Sequence, residues 1–275
     1  MEYDIRVNGA RLHVQRWTGG TGRTDTVLVV AHGIGEHSGY YASWAEMFAM
    51  HGVVVVLFDW RGHGLSSGKR GHASLQTLKS DLRAVIRQTR EEYVGASVML
   101  YGHSMGGSVA LSYAVEGNTL TDGIIAASPW IELLHPPARP LTALIKVMAH
   151  TMPSLTVRTG IKTEQLTRRN TEKSTKTDPL MHKKISVKLF DDLWNAGRML
   201  MHGQNRPDVP LLLMFGSEDR IVSRSSGKAF AERVNAEYRL WENMGHDLHI
   251  DAGNTDVFQY VLHWIQCHGN IQNPC

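Results

Sequence analysis

The chain has 275 residues, 42% of them apolar and 20% charged, which is material for a sizeable core and excludes disordered and collagen-like classes. A formal charge of +3 is mildly basic; weak attraction to anionic surfaces and ordinary surface variation explain it equally, and no nucleic-acid partner is expected. Two cysteines, Cys267 and Cys275, are too few for a disulfide framework and read as free thiols in a reducing compartment.

The first segment, MEYDIRVNGARLHVQRW, lacks the basic-then-apolar order of a signal peptide. It alternates on either side of Asn8-Gly9, which predicts a β-hairpin. Unbroken apolar runs follow at Val27 to Ala31, Val53 to Phe58, Val98 to Tyr101, Gly123 to Ser128 and Pro210 to Phe215. Such runs suit strands covered on both faces. Between the second and third, Leu75, Leu78, Leu82, Val85, Ile86 and Tyr93 recur at spacings of three and four, with Ser74 placed to cap the helix. The last helical stripe is Val257, Phe258, Val261, Leu262 and Ile265. Alternating strands and helices predict an α/β fold, a mostly parallel sheet with helices on both faces.

Residues 129–207 break this rhythm. They hold prolines 136, 137, 140 and 153 and a helical stripe of Leu141, Leu144, Ile145 and Met148, followed by a basic, polar stretch. The division expected is therefore a core of residues 1–128 and 208–275 with a largely helical insertion at 129–207. No apolar run approaches the roughly 20 residues that span a bilayer, so the expected location is cytoplasmic, with peripheral membrane contact open.

The third strand runs into Gly102-His103-Ser104-Met105-Gly106, and a helix pattern starts at once. A residue at such a corner is thrust out of the sheet beside the unpaired N–H groups and partial positive charge of a helix start. Small neighbours relieve the crowding of that turn. A serine there needs a base, and the base needs a carboxylate. Asp219 follows the strand Pro210 to Phe215, and His246 follows the segment Glu237 to Glu242. Both sit at strand ends, in the chain order Ser, Asp, His. Glu218 is the alternative acid and His249 the alternative base; His103 should point elsewhere. The N–H groups of Met105 and of Ile34, after His32-Gly33, are the expected oxyanion donors. No metal is expected, since His32/His37 and His246/His249 lack a His-Glu-x-x-His pattern, and no cofactor is needed.

Taken together, HGIGEHSGYY, FDWRGHGLSSG, GHSMGG, ASPW, DPL, GSEDRIV and GHDLH resemble the α/β-hydrolase fold. More narrowly they are similar to the monoacylglycerol lipase and lysophospholipase branch, also grouped with serine aminopeptidase-type hydrolases. The resemblance implies a core of about eight strands and a helical cap over the insertion, through which acyl chains enter. It implies a serine hydrolase acting on esters of single-chain lipids, monoacylglycerol foremost, with Glu36 and His249 near the glycerol end. Two positions depart from the family pattern: Tyr40, where arginine is common, and Thr175, where a tyrosine can sit. Asp59, Arg61 and His63 are expected to hold their own loop. The cap stripe is expected to be mobile and lipid-facing. Lysophospholipase, short-chain carboxylesterase and peptidase remain rivals, as does a ligand-binding protein with an idle triad.

Overall fold

The structure, a computed structural model, describes residues 1–20, 24–117, 119–167 and 178–269. Thr175 and Cys275 lie outside the described residues.

The hairpin forms as expected. Strands β1 (Glu2–Val7) and β2 (Ala10–Trp17) pair antiparallel across Asn8 and Gly9, whose φ angles of 47° and 76° are those of a primed two-residue turn. Then come β3 (Thr26–Ala31), helix α1 (Ala42–Met50), β4 (Val54–Phe58), α2 (Leu75–Glu92), β5 (Ser97–His103), α3 (Met105–Ala114) and β6 (Gly123–Ala127). The predicted cap is present on α2: Ser74 Oγ accepts from the N–H of Thr77 at 3.1 Å. After β6 the chain forms α4 (Arg139–Thr151), β7 (Thr156–Arg158), β8 (Lys184–Ser186) and α5 (Val187–His202). It closes with β9 (Leu211–Gly216), α6 (Arg224–Val234), β10 (Glu237–Trp241) and α7 (Asn254–His268).

Eight strands make one sheet in the order β1-β2-β4-β3-β5-β6-β9-β10. Every pair from β4 to β10 is parallel, and β1 and β2 are the antiparallel exception. Alternate residues of each central strand serve different cores. Val27, Val29 and Ala31 of β3 join α2, α3, α5 and α6, whereas Leu28 and Val30 join α1 and α7. Both faces are therefore apolar, which is why these strands read as unbroken runs. Fully burying one such Val or Leu side chain stabilises the fold by about 1.5–3 kcal/mol.

The insertion, expected to be largely helical, also holds β7 and β8, which pair as a separate antiparallel ribbon; three residues each are too few for alternation to register. One expectation is corrected. Cys267, on α7, is disulfide-bonded and not a free thiol; too few cysteines for a framework are still enough for a single bridge. Among the described residues no helix is long and apolar enough to cross a membrane.

Candidate active site

The corner between β5 and α3 carries Ser104 at φ 51° and ψ −112°, a strained conformation for a residue with a Cβ. The surrounding glycines are what make it attainable. A Cβ on Gly106 would lie 2.1 Å from the Ala31 carbonyl oxygen, and one on Gly102 would lie 2.7 Å from the Gly106 oxygen. The turn is locked from outside as well. Ser104 N–H donates to Ala127 at 3.0 Å, and its carbonyl accepts from Trp130 N–H at 3.1 Å.

Ser104 Oγ lies 2.9 Å from His246 Nε2, and His246 Nδ1 lies 2.7 Å from Asp219 Oδ2. All three residues are buried. The pairing puts the histidine proton on Nδ1, donating to the carboxylate, and leaves Nε2 to accept from the serine hydroxyl. Burial alone would raise the Asp219 carboxyl. The facing His246 and the N–H groups of Ile221 and Val222, at 2.8 and 3.1 Å, outweigh it and hold the group below its usual range. Glu218, the alternative acid, is not the partner His246 takes. The His246 loop is pinned on both sides: its carbonyl accepts from Ser128 Oγ at 2.8 Å, and Asp247 N–H donates to Leu166 at 2.9 Å.

Ser104 and His246 open onto a cavity of about 480 Å³ whose wall includes Ile34, Glu36, Ile161, Leu166 and Met181. Of the expected oxyanion donors, Ile34 is on that wall, and Met105 is the first residue of α3, where helix N–H groups have no partner within the helix. Glu36 touches the cavity, but its carboxylate is engaged. Oε2 accepts from Gly33 N–H and Tyr41 O–H, both at 2.7 Å, and burial's upward push is overcome by His103 and these bonds, so the carboxyl is held far down.

His249 is not on the cavity wall, where the resemblance placed it. It lies behind, 1% exposed, its ring stacked on Tyr41 at 4.1 Å with neither nitrogen hydrogen-bonded. Burial pushes it down to about 3, so it is neutral. Packing against Tyr41 and Tyr40 keeps the ring off that wall. In the same buried layer Tyr40 donates to Asp247 Oδ2 at 3.1 Å, and Tyr41 O–H lies 2.9 Å from His103 Nδ1. Burial would lower His103, but Glu36 and Asp247 reverse that and raise it to about 9. The His103 ring packs 5.0 Å from that of His246 and makes its close side-chain contacts with Tyr41, Glu36 and Asp247.

Among the described residues one set of donor atoms is close enough to share a metal ion: His103, His246 and Asp247. Both nitrogens of His246 already serve Ser104 and Asp219, so the set is committed to other bonds. The loop after β4 is held as expected. Asp59 accepts from Ser38 and Leu65 N–H at 2.6 and 2.7 Å, and Arg61 donates twice to Asp81 at 2.8 and 3.1 Å. The sequence reading missed the side of the cavity formed by Arg158, Asp178, His182, Lys183 and Lys184. No apolar period or motif marks β7 or β8; only the DPL tripeptide pointed there.

A serine raised on a strand-to-helix corner of a parallel sheet, against a histidine and a buried aspartate, defines the α/β-hydrolase class, and this chain is a carboxylic ester hydrolase. It belongs to the serine aminopeptidase S33 family, whose sequence profile matches residues 22–253. An uncharacterized abhydrolase domain-containing protein of Dictyostelium discoideum is 32% identical over 262 residues, 93% of this chain; the chain spans 28% of that protein's length. Phospholipase YtpA of Bacillus subtilis is 30% identical over 250 residues, covering 88% of this chain and 96% of the relative. The solved structure of Paleococcus ferrophilus monoacylglycerol lipase superposes with a TM-score of 0.83 at 27% identity, covering 94% of this chain and 99% of that one.

Proposed function

We propose that the protein hydrolyses carboxylic esters of single-chain lipids, monoacylglycerol foremost, through an acyl-enzyme on Ser104. The observation that carries this reading is the aligned relay from Ser104 to His246 to Asp219, opening on a cavity with apolar walls at Ile34, Ile161, Leu166 and Met181. His246 takes the serine proton as Oγ attacks the ester carbonyl, then returns it to the leaving alcohol; water repeats the sequence to release the fatty acid. The N–H groups of Met105 and Ile34 hold the oxyanion. Asp219 keeps the imidazole in its tautomer and balances its charge in the transition state. Glu36 acts on the loop: by accepting from Gly33 N–H it fixes the backbone that carries Ile34. The two relatives with named activities differ in head group, and what they have in common, a lipid substrate, supports the lipid ester here.

The segment at 129–207 serves as the cap in this reading. The α4 stripe splits in the structure. Ile145 and Met148 are half-buried and Ala149 is buried, whereas Leu141, Leu144 and Val147 are 50, 53 and 60% exposed. We assign that outer face to peripheral contact with lipid. The test is turnover of 1-oleoylglycerol by purified wild type and Ser104→Ala. Wild type should release fatty acid, and the variant should retain only the on-the-order-of 10³–10⁴-fold advantage over water that binding and the oxyanion hole supply. Near-wild-type turnover by Ser104→Ala contradicts the reading.

A further inference from the structure

Strands β7 and β8 pair Thr156 with Ser186, Val157 with Ile185 and Arg158 with Lys184. Side chains alternate along a strand, so Arg158 and Lys184 share one face of the ribbon, and Ile185, on the other face, is buried in the core. Two cations directly opposite each other destabilise a strand pair. Lys183 immediately precedes Lys184. All three are exposed, and all three line the cavity that Ser104 and His246 open onto.

Among the described residues none of the three makes an ion pair, whereas Arg11, Arg16, Arg90 and Lys188 each have a carboxylate partner. The two carboxylates on the cavity wall are engaged. Asp178 accepts from His37 Nε2 at 2.8 Å and from Leu180 N–H at 2.9 Å. Glu36 accepts from Gly33 and Tyr41. The wall that Ser104 and His246 share thus carries three cations, Arg158, Lys183 and Lys184, against two carboxylates, Glu36 and Asp178, that are bonded elsewhere.

We infer that Arg158, Lys183 and Lys184 form an anion-recognising rim, which extends the substrate range from monoacylglycerol to single-chain esters carrying a phosphate in the head group. This rests on the Ser104 reading above. A phosphate monoester offers close to two charges and three acceptor oxygens, which suits a forked guanidinium with two ammonium groups better than a single carboxylate does. The phosphate takes no part in bond breaking. The acyl carbon–oxygen bond breaks, water supplies hydroxyl to the acyl group and a proton to the glycerol oxygen, and glycerophosphate leaves intact.

The experiment compares 1-octanoylglycerol 3-phosphate with 1-octanoylglycerol, both monomeric, on the full chain. The measured quantity is the ratio of their kcat/KM values, which does not depend on the fraction of enzyme that is folded. Arg158→Gln and Lys184→Gln should each lower the ratio about tenfold, and Arg158→Lys should recover part of it. In wild type the ratio should fall as salt rises from about 20 to about 300 mM. A second readout is calorimetric binding of octyl phosphate to Ser104→Ala, which Arg158→Gln on that background should weaken. Ratios within about twofold of wild type in both glutamine variants overturn the inference, as does a loss confined to binding of phosphatidylglycerol vesicles. If folded wild type cleaves neither ester yet Ser104→Ala binds octyl phosphate in an Arg158-dependent way, the Ser104 reading fails and the rim stands.

Discussion

The central strands and α4 are both rich in apolar residues, and they use them in opposite ways. Every residue of β3, β4, β5, β6 and β9 is buried, with one apolar layer on each side. Of the thirteen residues of α4, Ala149 is the one classed as buried, and Leu141, Leu144 and Val147 face outward. β5 runs directly into Ser104 and the turn after β9 carries Asp219, while His246 lies on the loop after the edge strand β10; rigidity of the central strands supports precision at the 2.7 and 2.9 Å contacts of the relay. The helix adds no polar group to that relay. Apolar surface that is buried in one region is, in the other, left exposed.

The comparison breaks most visibly at the strand ends. Asp219→Asn should reduce kcat by about 10⁴ through loss of the correct tautomer and charge balance, and Glu218→Gln should stay within about tenfold of wild type. Steady-state kinetics on one soluble nitrophenyl ester checks both. If Glu218→Gln is the more damaging, the contrast between a paired aspartate and its neighbour is wrong. Next in size is folding. Leu82→Ala, which empties a fully buried site between α2 and the sheet, should cost about 2–5 kcal/mol. Leu144→Ala should stay within about 0.5 kcal/mol. Urea unfolding of the two variants side by side measures the difference, and equal losses would mean that α4 is packed like the core.

A third change sharpens the comparison from the other side. Leu144→Asp with Val147→Asp should weaken binding to lipid vesicles about tenfold while sparing hydrolysis of a soluble ester. Parallel loss on both points to packing. The smallest effect concerns the layer behind the site. Buried neutral His249, held down to about 3 against about 6.5 unfolded, contributes stability that is present above pH 6.5. That contribution is lost progressively as pH falls from there toward 3. His249→Phe keeps the stack on Tyr41 and removes the titration. Its Tm should therefore drop less than that of wild type between pH 7 and 5, by about 3 °C; identical drops would contradict a neutral buried imidazole.

The same contrast explains what could be read from the chain. Strands covered on both faces leave unbroken apolar runs, and a sharp turn at a strand end leaves glycines, so the sheet and the positions of Ser104, Asp219 and His246 were legible. Helical period placed α4, but which side faces out depends on its packing against α5, and Val147 escaped notice. Arg158 and Lys184 reach the cavity because two three-residue strands pair across an insertion; no local pattern encodes that. The resemblance put His249 beside the head group; its ring stacks on Tyr41 behind the cavity wall, a packing that no local pattern announces.

Covalent labelling is the most direct measurement of all. Purified protein should be incubated with a fluorophosphonate, digested, and the modified peptide located by mass spectrometry. One adduct per chain on Ser104, abolished in Ser104→Ala and strongly slowed in Asp219→Asn, is the expected result. Folded wild-type protein that leaves Ser104 unmodified, or carries the adduct on another serine, would contradict a nucleophile at the β5–α3 corner.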